Sequence, residues 1–113
     1  LRKDAIFNIS RSALLIQSFV TGEWANLTYA TQDRMHQPAR QKIFFPMKNI
    51  IRAALNSGAF GAYLSGAGST ILAFCVDREY TIGYEMADAA MKSGISGEIV
   101  VTKPSSKGVY HEE

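Results

Sequence analysis

Ile6, Ile9, Ala13, Ile16 and Val20 recur three or four residues apart, a spacing that predicts an amphipathic helix over residues 4–20. Asp4 suits the capped start of that helix and Gly22 its stop. Phe7, Leu14, Leu15 and Phe19 widen the stripe, so the helix is expected to be covered on two sides. Trp24, Leu27 and Ala30 predict a short second helix that ends in a polar stretch over residues 31–37, and Pro38 is expected to break regular structure. Met47, Ile50, Ile51, Ala54 and Leu55 follow the cleanest helical pattern in the chain, between Pro46 and a C-cap glycine at Gly58. Burying each of its larger side chains contributes about 1.5–3 kcal/mol, so this helix is core.

The period then changes. A half-apolar run, residues 60–64, leads into a small-residue elbow, and residues 70–76 leave it as a buried-type strand. Asp77, Arg78 and Glu79 form a polar break before a further helix over residues 80–93, with Ile82, Met86, Ala89 and Ala90 inward and Gly94 closing it. Residues 98–103 alternate and are β-branched, which predicts a strand, and residues 109–111 predict a short edge strand after a turn at 104–108. The order α-α-α-β-β-α-β-β is packed most economically as an α+β fold of ferredoxin-like type: an antiparallel sheet of about four strands with helices on one face.

Length and charge narrow the field. A chain of 113 residues with 47% hydrophobic and 19% charged residues is one globular domain. It has no run approaching the roughly 20 apolar residues of a membrane span. Its 12 basic and 10 acidic residues are scattered, so the net charge of +2 makes no case for nucleic acid. Cys75 is the single cysteine and lies in an apolar run, which excludes a disulfide framework and a cysteine metal site and fits a cytoplasmic setting. The start, Leu1-Arg2-Lys3, has neither an initiator methionine nor a signal pattern and reads as a piece of something longer.

Candidate chemistry is sparse. The elbow Ser65-Gly66-Ala67-Gly68-Ser69 lets the backbone turn sharply and bare its N–H groups, which suits an anion cradle or an ordinary hairpin turn. Arg40, two residues after a proline and in a loop flanked by helices, carries a fork that binds carboxylates at any working pH; Lys42 shares that role or solvates the surface. His36 reads as a surface histidine in a polar loop, because no nucleophile accompanies it, and His111 has a weaker claim. Asp33, Asp77, Glu79, Glu85 and Asp88 are dispersed, so no metal site is expected. Neither a Gly-x-x-x-x-Gly-Lys-Ser/Thr loop nor a Gly-x-Gly-x-x-Gly loop is present.

Three segments, in this order and spacing, resemble one family: Asp4-Ala5-Ile6-Phe7-Asn8-Ile9-Ser10-Arg11; Asp33-Arg34-Met35-His36-Gln37-Pro38-Ala39-Arg40 with the following Ile43-Phe44-Phe45-Pro46; and residues 58–70 around the elbow. They look like the carboxy-terminal domain of the homoserine kinases, within the GHMP small-molecule kinase superfamily, over essentially the whole chain. The resemblance implies a ferredoxin-like domain and the ATP- and Mg2+-dependent phosphorylation of the homoserine hydroxyl on the way to threonine. It implies that Ser65, Gly66, Ala67, Gly68 and Ser69, matching the family's third motif, pack beside a phosphate loop and help shape the nucleotide site. It also implies that Arg40 grips the substrate carboxylate. Asn8 and Arg11 match the family's helix pattern without an assigned contact.

Two positions depart from the family. Ser69 stands where the loop usually continues with proline, which frees φ and adds a hydroxyl, and Ala39 stands where an aromatic residue is common. The phosphate loop belongs to an N-terminal domain outside these residues. Homoserine, ATP and that domain are therefore the implied partners, with a homodimer left open. The fragment alone is expected to be inactive and to bind neither ATP nor Mg2+. Rival readings are another kinase of the superfamily, such as a mevalonate or diphosphocytidyl-methylerythritol kinase, and a non-catalytic amino-acid-binding regulatory domain. The Gln37-Pro38-Ala39-Arg40 segment favours an amino-acid substrate over the first rival.

Overall fold

The computed structural model describes residues 1–112. Helix α1 (Arg2–Thr21) is followed by a 3-10 turn (Trp24–Asn26), α2 (Leu27–Ala30), α3 (Gln37–Gln41) and α4 (Met47–Asn56). A hairpin of β1 (Gly61–Leu64) and β2 (Ile71–Phe74) comes next, and α5 (Glu79–Lys92) closes the regular structure. The helix boundaries follow the sequence pattern closely. Gly22 ends α1 in a left-handed conformation (φ 72°), its N–H bonded to the Ser18 carbonyl at 2.9 Å. Pro38 corrects one expectation: it lies in the first turn of α3, where its missing N–H costs nothing, so it helps start a helix.

The hairpin pairs antiparallel in the register Gly61–Phe74, Ala62–Ala73, Tyr63–Leu72 and Leu64–Ile71. Directly opposed residues share a face, so Gly61, Tyr63, Leu72 and Phe74 form one side and Ala62, Leu64, Ile71 and Ala73 the other. Both sides are apolar, and both are covered. Ala62 joins Ala54 of α4, Ala59 and Ile82 of α5 in the buried core, with Ile51, Ala73, Cys75 and Met86 packed around it. On the opposite side the Phe74 ring meets Phe19 of α1 edge-on, with centroids 5.2 Å apart, and Phe19 in turn meets Trp24 at 5.9 Å. Helices therefore lie on both faces of the sheet, which corrects the expectation of one covered face. Strands with large apolar residues on both sides require two layers of cover.

Two strands are found among the described residues where about four were expected. Residues 98–103 and 109–111 form no strand, and no backbone hydrogen bond joins residues 96–112 to β1 or β2. Alternation and β-branching supply strand propensity, but a strand exists only with an edge to pair with. Ile99 packs against α5 instead, where a Cβ added at Gly83 would come within 2.8 Å of its methyl group.

The stripe first read in α1 also faces the other way. Ile6, Ile9, Ile16 and Val20 are 57%, 69%, 64% and 80% exposed, whereas Ser18 is fully buried. The Ser18 hydroxyl donates to the Leu14 carbonyl at 2.7 Å, so a small polar residue is satisfied within its own helix and takes little space beside its neighbours. On the hairpin, Gly61 achieves the same closeness against α2. A Cβ there would lie 2.6 Å from the Leu27 carbonyl oxygen and 2.8 Å from the Thr31 methyl group. Gly61→Ala is expected to cost about 1–3 kcal/mol, the range for overpacking, in urea denaturation. A stability within experimental error of wild type would show that α2 and β1 separate freely.

Candidate functional site

The site is built on the turn between α2 and α3. Asp33, half-buried there, accepts hydrogen bonds from the backbone N–H groups of Met35 (3.0 Å), His36 (2.9 Å) and Gln37, and from the side-chain amide of Asn8 on α1. Asn8 completes the bridge, its carbonyl oxygen accepting from the Arg34 N–H at 3.0 Å. Burial by itself pushes the Asp33 carboxyl up, but the donors at Gln37, Asn8, Met35 and His36 outweigh it and hold the pKa below the usual carboxylate value. One carboxylate thus fixes the turn and ties it to α1.

The next two side chains tie the same turn to the hairpin. The Gln37 side-chain oxygen accepts from the Leu64 N–H at 2.8 Å, and His36 Nε2 lies 2.8 Å from the Gly66 carbonyl oxygen. Between α1, this turn and β1 opens a cavity of about 220 Å³, lined among others by Asn8, Arg11, Asp33, His36, Gln37 and Tyr63. Arg11 is the chemically pointed member. Its Nε is buried without a hydrogen-bond partner, and its guanidinium lies 4.0 Å from the centre of the Phe7 ring. Arg34 lies over the same ring at 3.8 Å, so two guanidinium groups share one aromatic side chain. The rest of the guanidinium is partly exposed, with one terminal nitrogen 3.3 Å from the Ser10 hydroxyl. A guanidinium with an unused donor suits an anionic ligand whose carboxylate matches its fork.

Arg40 lies on α3 and not in a loop. It is one helical turn from His36 and Gln37, hence on the same face as two cavity-lining residues, but it is not itself among the lining residues. The elbow is exposed from Gly66 to Ser69 and closes on its own backbone: Ser65 N–H donates to the Thr70 carbonyl at 2.9 Å, and Gly68 N–H to the Ser65 carbonyl at 3.1 Å. The N–H groups of Gly66, Ala67 and Ser69 donate to no backbone carbonyl among the described residues, which fits an approaching anion such as a nucleotide phosphate. A divalent cation fits less well. No three metal-binding side chains converge among the described residues, and Asp33 is already engaged by four donors.

Arg11, His36, Gln37 and Tyr63 line the cavity, a placement that the sequence did not assign. The i, i+3 spacing of Asn8 and Arg11 puts both on one helix face, a signal available in the sequence. The meeting of Asn8 with Asp33, 25 positions further on, was not.

The family model described as "GHMP kinases C terminal" matches residues 15–93. The chain belongs to this family. Among curated relatives, the homoserine kinase of Halothermothrix orenii is 36% identical over 95% of this chain and 34% of its own length. That of Caldicellulosiruptor bescii is 44% identical over 80% of this chain and 29% of its own, and that of Aquifex aeolicus is 34% identical over 95% and 36%. The chain spans about a third of the length of these relatives. No solved structure matches it.

The pH dependence of the Asp33 turn has a definite sign. A carboxyl whose folded pKa is depressed contributes stability that is complete above the unfolded value of about 3.9 and lost as pH falls through the folded value. Asp33→Asn is therefore expected to cost about 1.5–3 kcal/mol at pH 7, the range for hydrogen bonds to a charged group, and the gap from wild type should close in acid. A gap independent of pH would assign the loss to shape and not to charge.

The two elbow glycines should also differ. Gly66 (φ +56°) has open space around a would-be Cβ, whereas at Gly68 (φ +91°) a Cβ would lie 2.9 Å from a methyl group of buried Leu64. Gly66→Ala should lose about 1–2 kcal/mol for its left-handed backbone. Gly68→Ala should lose at least about 1 kcal/mol more for overpacking. Equal losses in thermal unfolding would deny the contact between Leu64 and the elbow.

Proposed function

We propose that this chain is the carboxy-terminal part of a cytoplasmic homoserine kinase and supplies the pocket wall for the amino acid together with the glycine elbow beside the nucleotide. The enzyme would transfer the γ-phosphoryl group of ATP to the homoserine side-chain hydroxyl, a step toward threonine. The observation that carries this reading is the buried, unpartnered Nε of Arg11 in a cavity beside Asn8 and Asp33. The names of the relatives support the substrate. No helix among the described residues is long and apolar enough to cross a membrane.

In this reading Arg11 holds the substrate carboxylate from α1, and Arg40 reaches it from the face of α3 that also bears His36 and Gln37. Phe7 keeps the Arg11 guanidinium aimed by stacking beneath it. The free N–H groups at Gly66, Ala67 and Ser69 face the nucleotide, and ATP supplies the phosphoryl group itself. Mg2+ would find its ligands in the other two-thirds of the polypeptide, where the phosphate loop also belongs. The contribution of this chain is positioning: phosphoryl transfer depends on reactants held in line and on fixed charge more than on covalent help from side chains.

Steady-state kinetics of the full-length protein test the assignment. Arg11→Ala and Arg40→Ala should each raise the homoserine KM about tenfold to a hundredfold, as expected for a lost charge-assisted hydrogen bond, with the ATP KM within about twofold of wild type. Lysine at either position should restore little, because a point charge replaces a fork. The penalty should shrink for a substrate analogue whose carboxylate is a neutral amide. A variant that penalises the amide equally is structural at that residue. Amino-acid binding by the isolated chain, unaltered by the remainder of the protein, would favour the regulatory-domain reading instead.

A further inference from the structure

His36 belongs to both halves of the site. It lines the cavity, its backbone N–H is held by Asp33 at 2.9 Å, and its Nε2 lies 2.8 Å from the Gly66 carbonyl oxygen. A carbonyl oxygen only accepts, so Nε2 carries the proton, a role that the neutral Nε2–H tautomer and the imidazolium fill alike. Among the described residues this is the one side chain hydrogen-bonded to residues 65–69. The elbow is otherwise held by its two backbone bonds, from Ser65 to Thr70 and from Gly68 to Ser65. Glycines at 66 and 68 leave such a loop neighbouring conformations of similar energy. One hydrogen bond of ordinary strength shifts populations of that kind about fivefold.

At its other end His36 sits on the turn that Asp33 fixes to α1, directly before Gln37, whose side chain holds the Leu64 N–H. A ligand that fills the cavity would lie against Asp33, His36 and Gln37 of this turn, and the turn holds the elbow through the imidazole. We propose that His36 is a positioning residue that carries the occupancy of the amino-acid cavity to the glycine elbow, so that amino acid and nucleotide bind with positive coupling. The proposal rests on the kinase reading given above. No contact between the two ligands is required, because each would favour the same arrangement of the turn and the elbow.

The test measures ATP affinity in the full-length protein with and without saturating homoserine, for wild type, His36→Leu, His36→Asn and His36→Gln. A glutamine amide reaches the place of Nε2, whereas an asparagine amide stops a bond short of it. In wild type, bound homoserine should tighten ATP about fivefold or more, the lower end of ordinary allosteric coupling. In the Leu and Asn variants the factor should fall to about one, and in the Gln variant return to within about twofold of wild type. Amide hydrogen exchange at Ser65 and Gly68, whose N–H groups make the two backbone bonds of the elbow, should quicken without ligand in the Leu and Asn variants and not in the Gln variant. If wild type binds neither ligand, the kinase reading falls and the coupling with it. If it binds both and the factor is the same in all four proteins, the kinase reading stands and the role of His36 is overturned. A Gln variant that behaves as the Leu variant does, with exchange unchanged throughout, overturns it as well.

Discussion

A hairpin of two four-residue strands that is apolar on both sides cannot be left half-covered, and the remaining elements answer that constraint. Its Ala62–Ala73 face takes α4 and α5, and its Gly61–Phe74 face takes α1 and α2. Because the two faces alternate residue by residue, a slip of one position in the register would send Leu64 and Tyr63 each to the wrong layer. The small residues are placed accordingly. Alanines at 54, 59, 62 and 90, Gly61 and Ser18 are buried beside Leu27, Met47, Ile50, Leu64 and Ile82, so small and large side chains share the interior. Close approach thus comes from the absence of side-chain volume, and the site inherits it: the turn after α2 can reach β1 because Gly61 lets α2 lie against the strand.

Much of this was legible in the sequence, for a physical reason. Helices α1, α4 and α5 are local objects, fixed by apolar periodicity and by punctuation at Gly22, Pro46, Gly58 and Gly94, and the structure has them within a residue or two. The hairpin around the elbow was legible for the same reason. Strands at 98–103 and 109–111 were not found, because pairing is a relation between distant segments and propensity cannot supply a partner. The inward face of α1 was misread in the same way. Periodicity finds the stripe of Ile6, Ile9, Ile16 and Val20, which is exposed. The second stripe read at Leu15 and Phe19 lies on the hairpin side, where Phe19 meets Phe74, and the burial of Ser18 had no local signal.

The site divides along the same line. The elbow and Arg40 stand out by local composition. Arg11, Asp33, His36 and Gln37 gain their meaning from Asn8 reaching across 25 residues and from Leu64 and Gly66 lying 27 and 30 residues downstream of Gln37 and His36. Asp33 looked like one of several scattered acids, yet it is the carboxylate with four donors around it. His36 looked like a solvated ring and is exposed, yet a single carbonyl gives it an address.

Leu64 has a consequence of a different kind. Its N–H is held by Gln37, its side chain is buried, and one of its methyl groups lies where any side chain at position 68 would begin. A side chain at position 68 therefore has to displace that methyl group, and a smaller residue at 64 makes room for it while loosening the packing beneath the turn that Gln37 anchors. Across descendants of such a chain, a change at one of these two positions alters the cost of a change at the other, so the histories of the elbow and the strand beside it are linked through a single methyl group.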